Sequence, residues 1–184
     1  MRLGLKRDEV RVVPYTSEWQ AEFKRVQDEL VSSVCLSKEQ IQHIGSTAIQ
    51  EMEAKPILDI LVGVDDFKQA DKQLFQNFSR AGFLRLKVER PNEIVLAKFS
   101  DDTYEEKTHF IHLVEYKGDL WQDLLFFRDY LNEHEEAKER YQTIKHEYLK
   151  KTSTGIAEYT DSKELFVKEI IEKRRLKERQ EVSF

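Results

Sequence analysis

The 184-residue chain has one cysteine, three prolines, six glycines and no long apolar run. A single cysteine, Cys35, excludes an intramolecular disulfide and any Cys-x-x-Cys metal site. It closes the apolar stretch "LVSSVC" and is expected to be a buried, inert thiol. Scarce glycine and proline point to long elements joined by short loops. No segment reaches the roughly 20 apolar residues of a bilayer span. The opening "MRLGLKRDEV" lacks the apolar core of a secretory signal. A soluble, cytoplasmic protein without membrane association is therefore expected. The Walker-type GxxxxGK[ST], the dinucleotide GxGxxG and the zincin HExxH are all missing, which removes the functions those patterns carry. An excess of cations is missing too. Lys and Arg number 30 against 35 Asp and Glu, a net charge of -5, and this argues against a nucleic-acid partner.

What is present is a charge-rich globular composition, 40% apolar and 35% charged, enough to build a core rather than a disordered chain. No internal repeat or low-complexity linker interrupts it, so residues 1–184 read as one domain with a charged helical tail at about 172–184. Val10–Tyr15 reads as a short strand stopped by Pro14. Ser17 stands as N-cap of a helix from Glu18 to Val34, with Trp19, Phe23, Val26, Leu30 and Val34 on one stripe. Gln40–Ile44 alternates as a strand, and a helical turn follows Ser46. Pro56–Val64 is apolar on both faces apart from Asp59 and belongs inside a sheet. Asp65 or Asp66 is expected to cap a helix reaching Ala81, ended by Gly82. Three strands follow, Phe83–Glu89, Glu93–Ser100 and Thr108–Tyr116, the first two joined by a hairpin-sized gap. Helices are expected over Leu120–Leu131, Glu133–Lys150 and from Ser162 onward, with the charged end fraying into solvent. Strands and helices followed by helices alone make an α+β fold, a mixed or antiparallel sheet flanked by helices with further helices C-terminal to it.

Several constellations carry chemistry. Gly45 and Ser46 form a turn whose free backbone N–H groups and hydroxyl suit a phosphate, and Thr47 adds a second hydroxyl. Asp59 lies among Ile57, Leu58, Ile60 and Leu61, where an unpaired carboxylate is costly and calls for a cation, a metal or several donors. Lys55 stands four residues before it, able to pair with a phosphate or with Asp59 itself. His43, His109 and His112 fall in strands. His109 and His112 are three apart and so face opposite sides of a regular strand. A cluster of His43, Asp59 and His112, with His109 as a further candidate, could hold a transition metal or move a proton. Arg128 and Lys163 are candidate phosphate clamps. The plainer alternatives are a capping Ser46, a core histidine, and an Arg128–Asp129 ion pair tying helices to the sheet.

"VVPYTSEWQAEF" (Val12–Phe23), "HIGSTAI" followed by "AKPILDILVGV", "HFIHLVE", "LLFFRDYL" and "EYTDSKELFV" occur in the order seen in the GrpB family, and the chain resembles that family from about Val10 to Val167. Similar domains also occur fused to dephospho-CoA kinases. The family resembles an outlying branch of the polymerase-beta-like nucleotidyltransferases, in which a Gly-Ser turn precedes a strand reading Asp-apolar-Asp, and a later strand adds a third acid. The resemblance implies a phosphate turn at Gly45 and Ser46 and a first metal-binding acid at Asp59. The second acid is replaced by Leu61. For the third position the later strand offers His109, His112 and Glu115, with His112 as a substitute ligand. By this resemblance Asp59 and His112 are the expected catalytic pair. A nucleotide or other phosphorylated small molecule is the expected partner, and magnesium or manganese the expected metal, with zinc raised by the histidines. The alternatives are a catalytically inactive module binding a nucleotide or CoA-like ligand, and a metal-dependent hydrolase built on the histidines.

Overall fold

The structure, a computed structural model, describes residues 2–6, 9, 11–150 and 156–181. These residues group into two compact units, Met1–Gln122 and Asp123–Phe184. The first contains a six-stranded mixed sheet: β1 (Leu5–Lys6), β2 (Ile41–Ile44), β3 (Leu58–Val64), β4 (Phe83–Arg90), β5 (Glu93–Phe99) and β6 (Glu106–Glu115). Its order is β2-β3-β6-β5-β4, with β1 attached to β6. The β3–β6 pair is parallel; the others are antiparallel. Helices α1 (Glu18–Val34) and α2 (Lys72–Arg80) cover one face. The α+β reading therefore holds.

Helix α1 has the expected bounds, and its stripe of Trp19, Phe23, Val26, Leu30 and Val34 is buried. These side chains share a core with Ile41, Leu58, Ile60, Val62, Leu96, Ile111 and Leu113 from four strands. Period-two alternation then sends Asp59, Leu61 and His112 to the other face. Several local expectations change. Ser17 occupies the N-cap position of α1 without a side-chain bond; the Thr16 hydroxyl accepts from the Glu18 N–H instead, at 3.3 Å. Cys35 is exposed, because it follows the helix in a left-handed conformation that turns it away from the buried stripe. Residues around Val13 make one isolated bridge to Ala54 rather than a strand, and the N-terminal strand forms instead at Leu5–Lys6. Asp66 serves only a short 3-10 turn, accepting from Lys68 N–H. The cap of α2 is Asp71, which accepts from Leu74 N–H at 2.8 Å.

Helix α3 (Asp119–Glu133) starts in the first unit and runs into the second, where α4 (Glu135–Lys150) and α5 (Ile156–Glu181) follow. Phe127, Tyr141 and Phe166 form the aromatic centre of that unit. Helix α5 starts six residues before the expected Ser162 and stays helical through the charged segment to Glu181. Arg174 explains part of this: it is buried and donates to Asp123 at 2.7 Å and to Glu178 at 2.7 Å. A buried ion pair within hydrogen-bonding distance holds the tail in place, where composition alone suggested fraying.

Truncating Leu30 tests this core. It is fully buried at the middle of the α1 stripe. Leu30→Ala should lower unfolding free energy by about 2–5 kcal/mol, measured by urea denaturation followed by circular dichroism.

Candidate functional site

The face of the sheet opposite α1 carries a short polar chain of side chains from three strands. Antiparallel pairing sets Ile44 opposite Asp59, and the chain turns at Gly45 immediately afterwards. Gly45 has φ 71°, a conformation that favours glycine. A Cβ at this position would run into Oδ2 of Asp59. The glycine thus lets the backbone of the turn lie directly against the carboxylate. Ser46 and Thr47 follow in a 3-10 turn, Ser46–Ala48. Parallel pairing sets Leu61 opposite His112 on the neighbouring β6. His112 Nε2 lies 3.5 Å from Asp59 Oδ1, and its Nδ1 lies 3.1 Å from Glu93 Oε2 on β5. Glu93 is buried, and its other oxygen accepts from Arg90 at 2.7 Å. Asp59 is more open, with 34% of its side chain exposed.

The electrostatics follow from that geometry. Burial works against charge on His112, but hydrogen bonding and charge from Asp59 and Glu93 outweigh it and push its pKa up to about 9. Burial likewise works against ionisation of Glu93, yet His112 and then Arg90 hold its carboxyl below the usual range. At neutral pH His112 is an imidazolium set between Asp59 and Glu93.

The other strand histidines are elsewhere. His43 points to the α1 face, where it stacks on Phe23 at 4.9 Å, bonds Thr47 Oγ1 through Nε2 at 2.9 Å and meets Gln20 through Nδ1 at 3.3 Å. Thr47 therefore supports a core histidine. His109 also faces α1. Its Nδ1 lies 2.8 Å from Thr108 Oγ1, and its Nε2 lies 3.2 Å from Glu22 without a hydrogen bond. Burial pushes its pKa down to about 4, so it stays neutral. The sheet separates both rings from Asp59, and the four residues do not converge on one ion. Lys55 is exposed just ahead of β3. Arg128 and Lys163 belong to the second unit; Arg128 Nε donates to its neighbour Asp129 at 2.6 Å. The side chain of Tyr159, which flanks the start of the last expected helix, lies outside the described residues.

Two-ion phosphoryl transfer needs acids that flank both ions. The donors do not fit that centre. Leu61 is fully buried and offers no ligand atom. Among the described residues, no group of three or more His, Cys, Asp or Glu is placed to share an ion. Glu93 is the residue that sequence reasoning missed. Its only signal was its place directly after "RPN", where a tight hairpin decides which face it takes.

The family profile described as GrpB protein matches residues 9–173. The chain belongs to the GrpB family. It is 37% identical over 170 residues to the glutamate-rich protein GrpB of Alkalihalophilus pseudofirmus, covering 92% of this chain and 98% of that one. The crystal structure of the conserved protein GrpB from Enterococcus faecalis superposes with a TM-score of 0.72 at 26% identity, over 89% of this chain and 99% of that one. The Cid1 poly(U) polymerase, solved with Mg 3′-dATP bound, matches with a TM-score of 0.50 at 16% identity. That match covers 73% of this GrpB chain and 42% of the polymerase, and it shows a shared nucleotidyltransferase-like fold. No helix among the described residues of this GrpB protein is long and apolar enough to cross a membrane.

His109 and His112 are shifted in opposite directions. His112, raised from 6.5 to about 9, contributes stability that is complete below about pH 6.5 and is lost as pH rises through about 9. His109, lowered to about 4, makes stability fall as pH drops from about 6.5 toward 4, because only the unfolded chain takes up the proton there. Ring-proton NMR across pH 3.5–10, on the order of the range both values span, should show His112 charged and His109 neutral at pH 7. The reverse assignment would refute the site's charge pattern.

Proposed function

We propose that this GrpB protein binds a nucleotide, or another phosphorylated small molecule, against the Gly45 turn beside Asp59 and His112. The observation that carries the reading is the Asp59–His112 pair set directly beside a left-handed glycine turn, in a nucleotidyltransferase-like fold. Backbone N–H groups of the Gly45–Ser46–Thr47 turn and the His112 imidazolium supply donors and positive charge for phosphate oxygens. Lys55, exposed just ahead of β3, is a further cation of the same unit. Asp59 repels a phosphate unless a cation lies between them. A single magnesium or manganese ion, shared between Asp59 and the ligand's phosphates, is the form of metal binding these donors allow.

Leu61 favours a second reading, in which the ligand, a nucleotide or a CoA-like molecule, is held without transfer. Nucleotidyl transfer by two metals needs the acid that Leu61 replaces.

Calorimetric titration with ATP, GTP, UTP and CoA, with and without magnesium, separates these roles. His112→Gln should weaken binding roughly tenfold or more in both conditions, the worth of a charge-assisted hydrogen bond. Asp59→Asn should weaken it only when magnesium is present. Pyrophosphate release that disappears in Asp59→Asn would establish transfer, whereas saturable binding without release supports a binding module. Failure of all four compounds to bind at millimolar concentration would overturn the reading.

A further inference from the structure

Glu93 stands two strands away from Asp59 and touches the site only through His112. Its surroundings differ from those of Asp59 in every respect that matters for holding a ring still. Glu93 is buried, it lies 3.1 Å from His112 Nδ1, and its second oxygen is anchored by Arg90 at 2.7 Å. Asp59 is a third exposed and lies 3.5 Å from Nε2. The first contact has the length of an ordinary hydrogen bond; the second is at the outer limit. One nitrogen of the ring is therefore tethered, and the other is loosely engaged on the open side of the cluster.

The tether is built into the β4–β5 hairpin. Arg90 and Glu93 are register partners flanking Pro91 and Asn92. Proline fixes its own φ, and Asn92 takes the left-handed conformation, φ 64°, so the turn closes in two residues. Because side chains alternate along a strand, one residue more or fewer in this turn would send Glu93 to the other face.

We propose that Glu93 is the positioning residue of this site, fixing the His112 ring by its Nδ1 so that Nε2 is the nitrogen presented to a ligand at Asp59. Glu93 thereby restores, through His112, an acidic influence that Leu61 cannot supply from β3. An imidazole oriented at one nitrogen by a buried carboxylate and only loosely engaged at the other is the arrangement that suits a histidine to act on a bound group. The role of Nε2 toward a phosphorylated ligand rests on the function proposed above; the orientation of the ring does not.

Two measurements on the full chain keep these apart. The first uses no ligand. Long-range proton–nitrogen NMR of wild type should show a slowly exchanging His112 Nδ1–H. Glu93→Gln, which keeps an acceptor oxygen, should retain it, and Glu93→Ala should lose it, with the thermal midpoint and circular dichroism of each variant recorded alongside. Should Glu93→Ala fail to fold, Glu93→Met replaces the volume without the acceptor. An unchanged His112 signal in the acceptor-free variant overturns the proposal. The second measurement titrates ATP and UTP with magnesium. Affinity should fall roughly tenfold or more in Glu93→Ala and only a few-fold in Glu93→Gln. Equal losses in both variants would make Glu93 a charge rather than a positioning group and overturn the proposal. If neither nucleotide binds wild type, the function proposed above fails, and the ligand-free NMR result alone decides the role of Glu93.

Discussion

The parallel register of β3 against β6 is the constraint on which the rest of the site depends. It places Leu61 opposite His112 and Asp59 opposite Phe110, which brings the Asp59 carboxylate and the His112 ring together diagonally on one face. A slip of one residue would either exchange His112 for His109 on that face or turn Asp59 into the core beneath α1, and in both cases the pair is lost. The register is secured by what lies on the reverse side. Leu58, Ile60, Val62, Ile111 and Leu113 are all fully buried with α1, and none of them tolerates water.

The cluster on the open face settles a local charge problem. A carboxylate inside a β-sheet is costly alone, and so is an imidazolium. Placed between Asp59 and Glu93, with Arg90 beyond, the ring and the acids neutralise one another. Two glycines on β3 or beside it allow close packing, and the first serves the cluster. At Gly45 a side chain would collide with Asp59. At Gly63 a Cβ would come within 2.7 Å of Tyr116 and 2.8 Å of Trp121, whose rings meet edge to face at 5.0 Å. The same strand departs from the two-metal pattern, because Leu61 puts no second acid beside Asp59.

Much of the fold was legible because it rests on periodicity. The α1 stripe and the alternating strands of the sheet are short-range patterns set by 3.6 and 2 residues per repeat. Caps and ends were less legible. Asp65, Asp66 and Asp71 are the same residue type within seven positions, and only the chain path determines which one meets a free helical N–H. The continuation of α5 through Arg174 was hidden because its partner, Asp123, is 51 residues away. Of the residues singled out in the sequence, Gly45, Asp59 and His112 lie together, and the three-residue spacing correctly separated His109 from His112. It also grouped His43 with Asp59, and that grouping fails because β2 delivers His43 to the helix-covered face.

By itself, the sequence determined the elements, the α+β class, the membership of a family and the absence of a second acid at Leu61. These are properties of residue type and spacing, and they survive without knowledge of long-range contacts. Tertiary structure decided which polar groups meet. Strand order put β5 next to β6, and the two-residue hairpin turn chose the face of Glu93. His112 thereby received a partner on each nitrogen from residues 53 and 19 positions away. Such pairings depend on sheet register, which many distant apolar contacts fix jointly and no local pattern encodes.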